Sequence, residues 1–184
     1  MTLPSSPVPR FPRIGARLLA SLPPGPLSLL SGHVVRGLAA RHPGLFRRLG
    51  PYAEKRFLID PTDLPFSFLI HPQPSRPRIE ALGASASPAW DCRIAGPLAA
   101  LVGMIHGAWD GDALFFSRDI AIEGDTAAAL ALRNALDDAG IDLFEEAAES
   151  LGAPGRMAGR RLRPLVRAAG RITGVALTRV ENLP

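Results

Sequence analysis

Three carboxylates stand close together in the second half of the chain: Glu123 and Asp125 flank Gly124, and Asp119 alternates onto the same strand side as Glu123. General acid–base chemistry needs two such groups in contrasting environments, so that one keeps its proton while the other does not. Here each has a simpler structural role. Asp125 immediately precedes a helical run and reads as its N-cap, while Asp119 and Glu123 read as the solvated side of a half-buried strand. The four histidines, His33, His42, His71 and His106, never recur at i, i+4, and neither HExxH nor CxxC occurs, so no metal-ligand set is expected. Cys92 falls in a predicted strand beside no histidine, and there is no GxSxG elbow to present a nucleophilic serine. Glycine loops of the phosphate-binding kinds, GxxxxGK[ST] and GxGxxG, are missing too. These residue types therefore predict no catalytic residue, no metal and no cofactor.

The elements that carry these residues belong to a folded chain. With 184 residues, 47% of them hydrophobic and 21% charged, it suits one domain with appendages. A chain of this size buries roughly 70% of its unfolded surface, so a core is attainable without staples. The single cysteine excludes an internal disulfide framework and fits a reducing compartment. No stretch approaches the ~20 apolar residues of a membrane span. Prolines at positions 4, 7, 9 and 12 interrupt any apolar leader. The chain is expected to be cytoplasmic, soluble or peripheral to a membrane, and not exported.

Residues 1–25 read as a flexible N-terminal segment, disordered over Met1 to Pro9, with a short basic amphipathic helix from Phe11 to Leu22. A helix is predicted from Leu27 to Arg41 with Leu27, Leu30, Val34 and Leu38 as its buried stripe; Pro43 interrupts it and a short turn follows to Leu49. Short strands are predicted over Arg56 to Ile59, Phe66 to Ile70, Arg78 to Leu82 and Asp91 to Ile94, the first two joined by the turn Asp60-Pro61-Thr62-Asp63. Phe66, Phe68 and Ile70 alternate with Ser67 and Leu69. The run from Pro97 to about His106 is a helix that is apolar on every side, implying full burial or a cavity wall. Asp119 to Glu123 is the fifth strand, closed by Gly124, and a helix runs from Asp125 to about Asp138 with Leu130 alone on its polar side. A short helix after Asp142 ends the domain at 149.

Residues 150–184 form an arginine-rich segment that begins with the break Gly152-Ala153-Pro154-Gly155. Charge divides here: Asp110 to Glu149 holds eleven acids against two arginines, and Ser150 onward holds seven arginines against one acid. At helical pitch Arg156, Arg160, Arg163 and Arg167 make one stripe, with Leu162 and Leu165 broadly opposite. Two readings stand side by side: a helix on an anionic membrane surface, or one docked on the protein's own acidic face. Pro164 weighs against either, since an interior proline costs a helix ~3 kcal/mol. The tail has no aromatic residue, so base-specific nucleic-acid readout is not expected.

The run Asp112-Ala113-Leu114-Phe115-Phe116-Ser117-Arg118-Asp119-Ile120-Ala121-Ile122-Glu123-Gly124-Asp125-Thr126, followed by a helix bearing Asn134, Leu136 and Asp137, resembles the signature of sterol carrier protein type 2 domains. Within them it most closely resembles the bacterial branch called UbiT, an accessory factor of oxygen-independent ubiquinone biosynthesis. The resemblance is strong from Ala108 to Leu143 and extends more weakly back to Glu54. It departs at Ala127 and Ala128, where the family often carries an acid. The resemblance implies an α+β fold, a mostly antiparallel five-stranded sheet covered by helices, with an apolar tunnel for a lipid tail. It further implies a non-enzymatic protein that holds lipid or polyprenylated quinone precursors for ubiquinone-biosynthesis enzymes.

Candidate lipid-binding residues are Phe66, Phe68, Leu101, Ile105, Leu114, Phe115, Phe116, Ile120 and Ile122, and candidate membrane contacts are Arg160, Arg163 and Arg167. The same apolar residues would also serve a solid core, and sequence does not separate a core from a cavity. In that case the protein would be a scaffold recruiting quinone-biosynthesis enzymes, with Leu130 as a contact.

Overall fold

A computed structural model describes residues 8–12, 16, 24–106 and 118–173, with the side chains of 24, 169 and 171–173 left aside. The expected helix from Phe11 to Leu22 falls mostly outside these residues, as do the turn Asp110-Gly111-Asp112 and the apolar run Leu114-Phe115-Phe116.

Helix α1 spans Pro24–Arg41 and α2 spans Pro43–Leu49, followed by a 3-10 turn over Gly50–Glu54. Strands β1 (Phe57–Pro61), β2 (Phe66–His71), β3 (Arg78–Gly83) and β4 (Cys92–Gly96) come next. Then follow α3 (Leu98–Ile105), β5 (Ala121–Gly124), α4 (Thr126–Ala139), α5 (Leu143–Ser150) and α6 (Gly152–Thr173). The five strands form one sheet in the order β3-β2-β1-β4-β5. Only β1 and β4 run parallel, and the other three pairings are antiparallel. This is the α+β architecture expected above.

Register gives the sheet two unlike faces. Ala81, Phe68, Ile59, Ile94 and Ile122 lie in one row across all five strands, and Glu80, Leu69, Leu58, Arg93 and Glu123 in the next. Neighbouring rows point to opposite sides. The first side meets the helices: Phe57, Cys92 and Ile94 are buried with Leu45, Phe46 and Leu49 of α2, with Leu101 of α3, and with Ala128 and Leu132 of α4. The second side carries charge, yet Leu58 and Leu69 are buried there as well. Leu69, not Phe66, Phe68 or Ile70, is thus the fully buried residue of β2. The alternation of Phe66, Phe68 and Ile70 with Ser67 and Leu69 reads as a mostly buried strand, but apart from Leu69 the strand is half-buried.

Several expected details change. Helix α1 begins earlier than Leu27 and buries Val35, while Leu30 is 45% exposed. The stripe rotates because α1 packs on the edge strand β3 and on α5, and not on the sheet face alone. Asp60 and Pro61 extend β1, moving the turn to residues 62–65. Val8, expected in a disordered stretch, is buried in the core, and the Phe11 amide donates to Asp63 Oδ2 at 2.7 Å. The Gly152–Gly155 stretch opens α6 instead of breaking the chain, and Pro164 sits inside that helix on an exposed position.

Caps set the helix ends. Asp125 Oδ1 accepts the Ala128 amide at 3.0 Å, and Asp142 Oδ1 accepts those of Phe144 and Glu145, both at 3.0 Å. Gly140 closes α4 in the left-handed conformation. Gly124 is required for two reasons: its φ is +80°, and a Cβ there would lie 2.3 Å from the Asp91 carbonyl. This close approach lets the Asp125 amide donate to that same carbonyl at 2.9 Å, joining the end of β5 to the start of β4.

Candidate functional site

The apolar candidates divide between a packed core and an incompletely covered strip. Leu101 and Ile120 are each 4% exposed within the core cluster, and Ile122 packs against it. Ile105 ends α3 half-buried. Phe66 and Phe68 lie two residues apart on the helix-facing side of β2, in an edge-to-face contact with centroids 5.5 Å apart. Both are only half-buried and neither belongs to the core cluster. Leu114, Phe115 and Phe116 lie outside the described residues. The structure therefore joins Leu101, Ile120 and Ile122 in one body of packed side chains, and sets Phe66 and Phe68 apart from it.

Two open grooves flank the sheet. One, of about 380 Å³, lies on the charged face, between that face and the loop from Gly83 to Trp90, and Phe66 reaches its wall. Arg93 spans this groove's floor. Its Nη2 and Nη1 meet Asp60 Oδ2 and Glu123 Oε1, each at 2.5 Å, and the Asp60 hydrogen bond, foremost, holds the guanidinium charged. Glu123 and Asp60 are thus structural counter-ions, which sequence periodicity could not pair because they sit on different strands. The other groove, of about 680 Å³, runs between the start of α1 and β3, where Arg36, Arg76 and Arg78 surround Leu29 and Ile79.

The titratable groups of the core serve structure. Burial, with the charges of Asp125 and Asp91, pushes the Cys92 thiol up to about 11. The Arg56 amide, donating to Asp91 Oδ2 at 2.8 Å, lowers the Asp91 pKa against a partial desolvation cost, with the Arg56 guanidinium and Lys55 adding to the lowering. His106, 1% exposed, accepts the Leu143 amide on Nε2 at 3.0 Å and so ties α3 to α5. Glu146, also buried, accepts from Arg41 Nε at 3.0 Å and meets His42 Nε2 at 2.8 Å. Among the described residues no three metal-ligating side chains come together.

The candidate membrane arginines part company. Arg163 turns inward to Glu145 Oε1 at 2.7 Å, and Arg156 approaches Glu149 at 3.5 Å. Arg160 and Arg167 are exposed. Among the described residues no helix is long and apolar enough to cross a membrane.

The model of the SCP-2 sterol transfer family matches residues 38–137, more than half of the chain. No curated protein matches the sequence. Among solved structures, one described as "UbiJ-SCP2 Ubiquinone synthesis protein" superposes with a TM-score of 0.51 at 17% identity, covering 65% of this chain and 96% of that one. A sterol carrier protein 2 from Yarrowia lipolytica, in its apo form, gives 0.44 at 13% identity, covering 59% and 87%. The sterol carrier protein domain 2 of Helicoverpa armigera gives 0.41 at 15% identity, covering 56% and 79%.

Proposed function

Because this chain belongs to the SCP-2 sterol transfer family, we propose that it is a non-enzymatic lipid-binding accessory factor of oxygen-independent ubiquinone biosynthesis. In this reading it holds polyprenylated quinone precursors or membrane lipid and presents them to the enzymes of that pathway, in the cytoplasm beside the inner membrane. The observation that carries the lipid part is the strip at Phe66 and Phe68: apolar, helix-facing, half-buried and outside the packed core. Each methylene of a lipid tail that such a strip removes from water contributes ~0.8 kcal/mol. Phe66, Phe68, Ile105 and Ile122, with Leu114, Phe115 and Phe116, would contact the tail, while Leu101 and Ile120 support them from the core. The pathway part rests on the signature from Asp112 to Thr126, since a fold shared at 17% identity with a ubiquinone synthesis protein speaks for architecture alone.

Native mass spectrometry and solvent extraction of the purified full chain test the lipid part. A prenylated phenol or other lipid should accompany the folded protein and be lost from Phe68→Asp, with circular dichroism unchanged. An empty protein indifferent to added lipid would overturn it. Normal quinone levels without oxygen in a strain lacking the gene would remove the pathway while sparing lipid binding.

A scaffold reading is favoured by Leu130, 55% exposed on α4. Capture of quinone-biosynthesis enzymes that survives Phe68→Asp but is lost with Leu130→Glu would select it.

A further inference from the structure

Helix α6 has two faces with different tasks. One is joined to α5: a Cβ on Gly155 would lie 2.3 Å from the Ala148 carbonyl, and one on Gly159 would lie 2.8 Å from the Ala148 Cβ. Only glycines allow this approach, so α6 is held against α5 along that line. Arg163 and Arg156 add ion pairs to Glu145 and Glu149.

Among the described residues the outer face has no such partner. Of the seven large hydrophobic residues exposed among the described residues, three lie on α6, Met157 at 62%, Leu162 at 47% and Leu165 at 65%, and a fourth, Leu151 at 52%, immediately precedes it. At 100° per residue the outer arc of the helix runs Arg160, Met157, Arg161, Leu165, Leu162. The helix carries six arginines and no acid. Arg160 and Arg161 form no ion pair with described residues, being absent from every salt bridge.

We propose that α6 is a membrane-docking helix that lies flat on an anionic bilayer, inserting Met157, Leu162 and Leu165 between headgroups while Arg160 and Arg161 meet the lipid phosphates. Apolar side chains beside and between arginines that have no ion-pair partner among the described residues match the interface of such a bilayer, where the aliphatic stem of Arg161 extends upward to keep its charge at the phosphate level. Charge argues against a second copy as the occupant, because a symmetric contact would bring two acid-free, six-arginine helices together. A nucleic acid would meet leucines where its phosphates need cations. The surface is separate from the interior strip and does not require that it bind lipid. It also replaces the simple arginine stripe: Arg163 serves α5, and the leucines, not the arginines alone, make the contact.

Flotation of the full chain with vesicles of phosphatidylcholine, or of phosphatidylcholine mixed with phosphatidylglycerol, is the test. Binding is expected to the mixed vesicles and to fall with added salt. Leu162→Ser with Leu165→Ser should lower the partition at least about tenfold. Arg160→Ser with Arg161→Ser should lower it by about fivefold per arginine. Leu130→Ser, an exposed leucine on α4, should change nothing. A fluorophore on Leu165→Cys should shift to the blue with mixed vesicles only. Equal binding to neutral vesicles, no loss in the leucine variant, or a dimer that the leucine variant dissolves would each overturn the proposal. Retention of co-purified lipid by the α6 variants keeps this outcome distinct from failure of the interior site.

Discussion

Ser28 of α1 closes the outer edge of the sheet at Ala81 of β3: the Ala81 amide donates to Ser28 Oγ at 2.9 Å, and the Ser28 hydroxyl donates to the Ala81 carbonyl at 3.2 Å. One side chain thus satisfies both backbone groups that Ala81, on the edge strand, would otherwise offer to another chain. Ser28→Ala should cost about 1–2 kcal/mol, read by urea denaturation, because it strands a half-buried amide. The variant should also self-associate more readily on size-exclusion chromatography. Unchanged stability together with unchanged elution would show that the edge is protected by other means.

Gly124→Ala should be among the more damaging single-methyl additions in the protein. It combines a left-handed backbone with a Cβ 2.3 Å from the Asp91 carbonyl, and a loss above about 3 kcal/mol is expected. Gly152→Ala is the matched control, at φ +70° but with nothing within 4 Å of the new methyl. It should cost only about 1–2 kcal/mol. Equal thermal shifts for the two variants would mean that the close approach of β5 to Asp91 does not matter.

Asp91 gives the protein an acid-dependent contribution of defined sign. Its folded pKa lies below the ordinary value of 3.8, so the folded state binds its proton less readily than the unfolded chain. The resulting stability is present above that ordinary value and is lost as pH falls through the lowered one. Asp91→Asn keeps an acceptor for the Arg56 amide but removes the charge. Its deficit relative to the parent should therefore be largest near neutrality and close in acid below about pH 4. A gap that stays constant across this range would refute the assignment.

Cys92 should be chemically silent in the native protein. With its thiol raised to about 11 and no exposed surface, its thiolate is scarce at pH 8. Disulfide-forming reagents should react at least about a hundredfold more slowly than with the urea-unfolded chain. Rapid native labelling would mean that β4 opens locally.

Much of the fold was legible in the chain because its signals are local. Asp125, read as an N-cap, holds the Ala128 amide three residues on, and the short strands follow from alternation and turn residues, whereas their union in one five-stranded sheet was implied by the family signature. The burial of residues Ala99 to Gly103 followed from a helix with no polar side, although Leu98, Met104 and Ile105 remain half-buried. Local rules failed where a second element decides the outcome. Leu30 occupies an apolar helical position yet is exposed, because α1 is turned by β3 and α5. Val8 lies among prolines and serines yet is buried.

By itself the sequence determined the element order, the Asp125 cap, the end of the fifth strand at Gly124 and the family signature, all of which rest on residues close along the chain, whereas the need for glycine at 124 comes from the distant Asp91 carbonyl. Only tertiary structure decided which charges neutralise each other, as when Arg93 takes Asp60 and Glu123 from strands on either side. It likewise decided that Arg163 faces α5 while Met157 and Leu165 face outward. Helical pitch fixes the angles between side chains around an axis, but the direction in which that axis is turned depends on what the helix packs against.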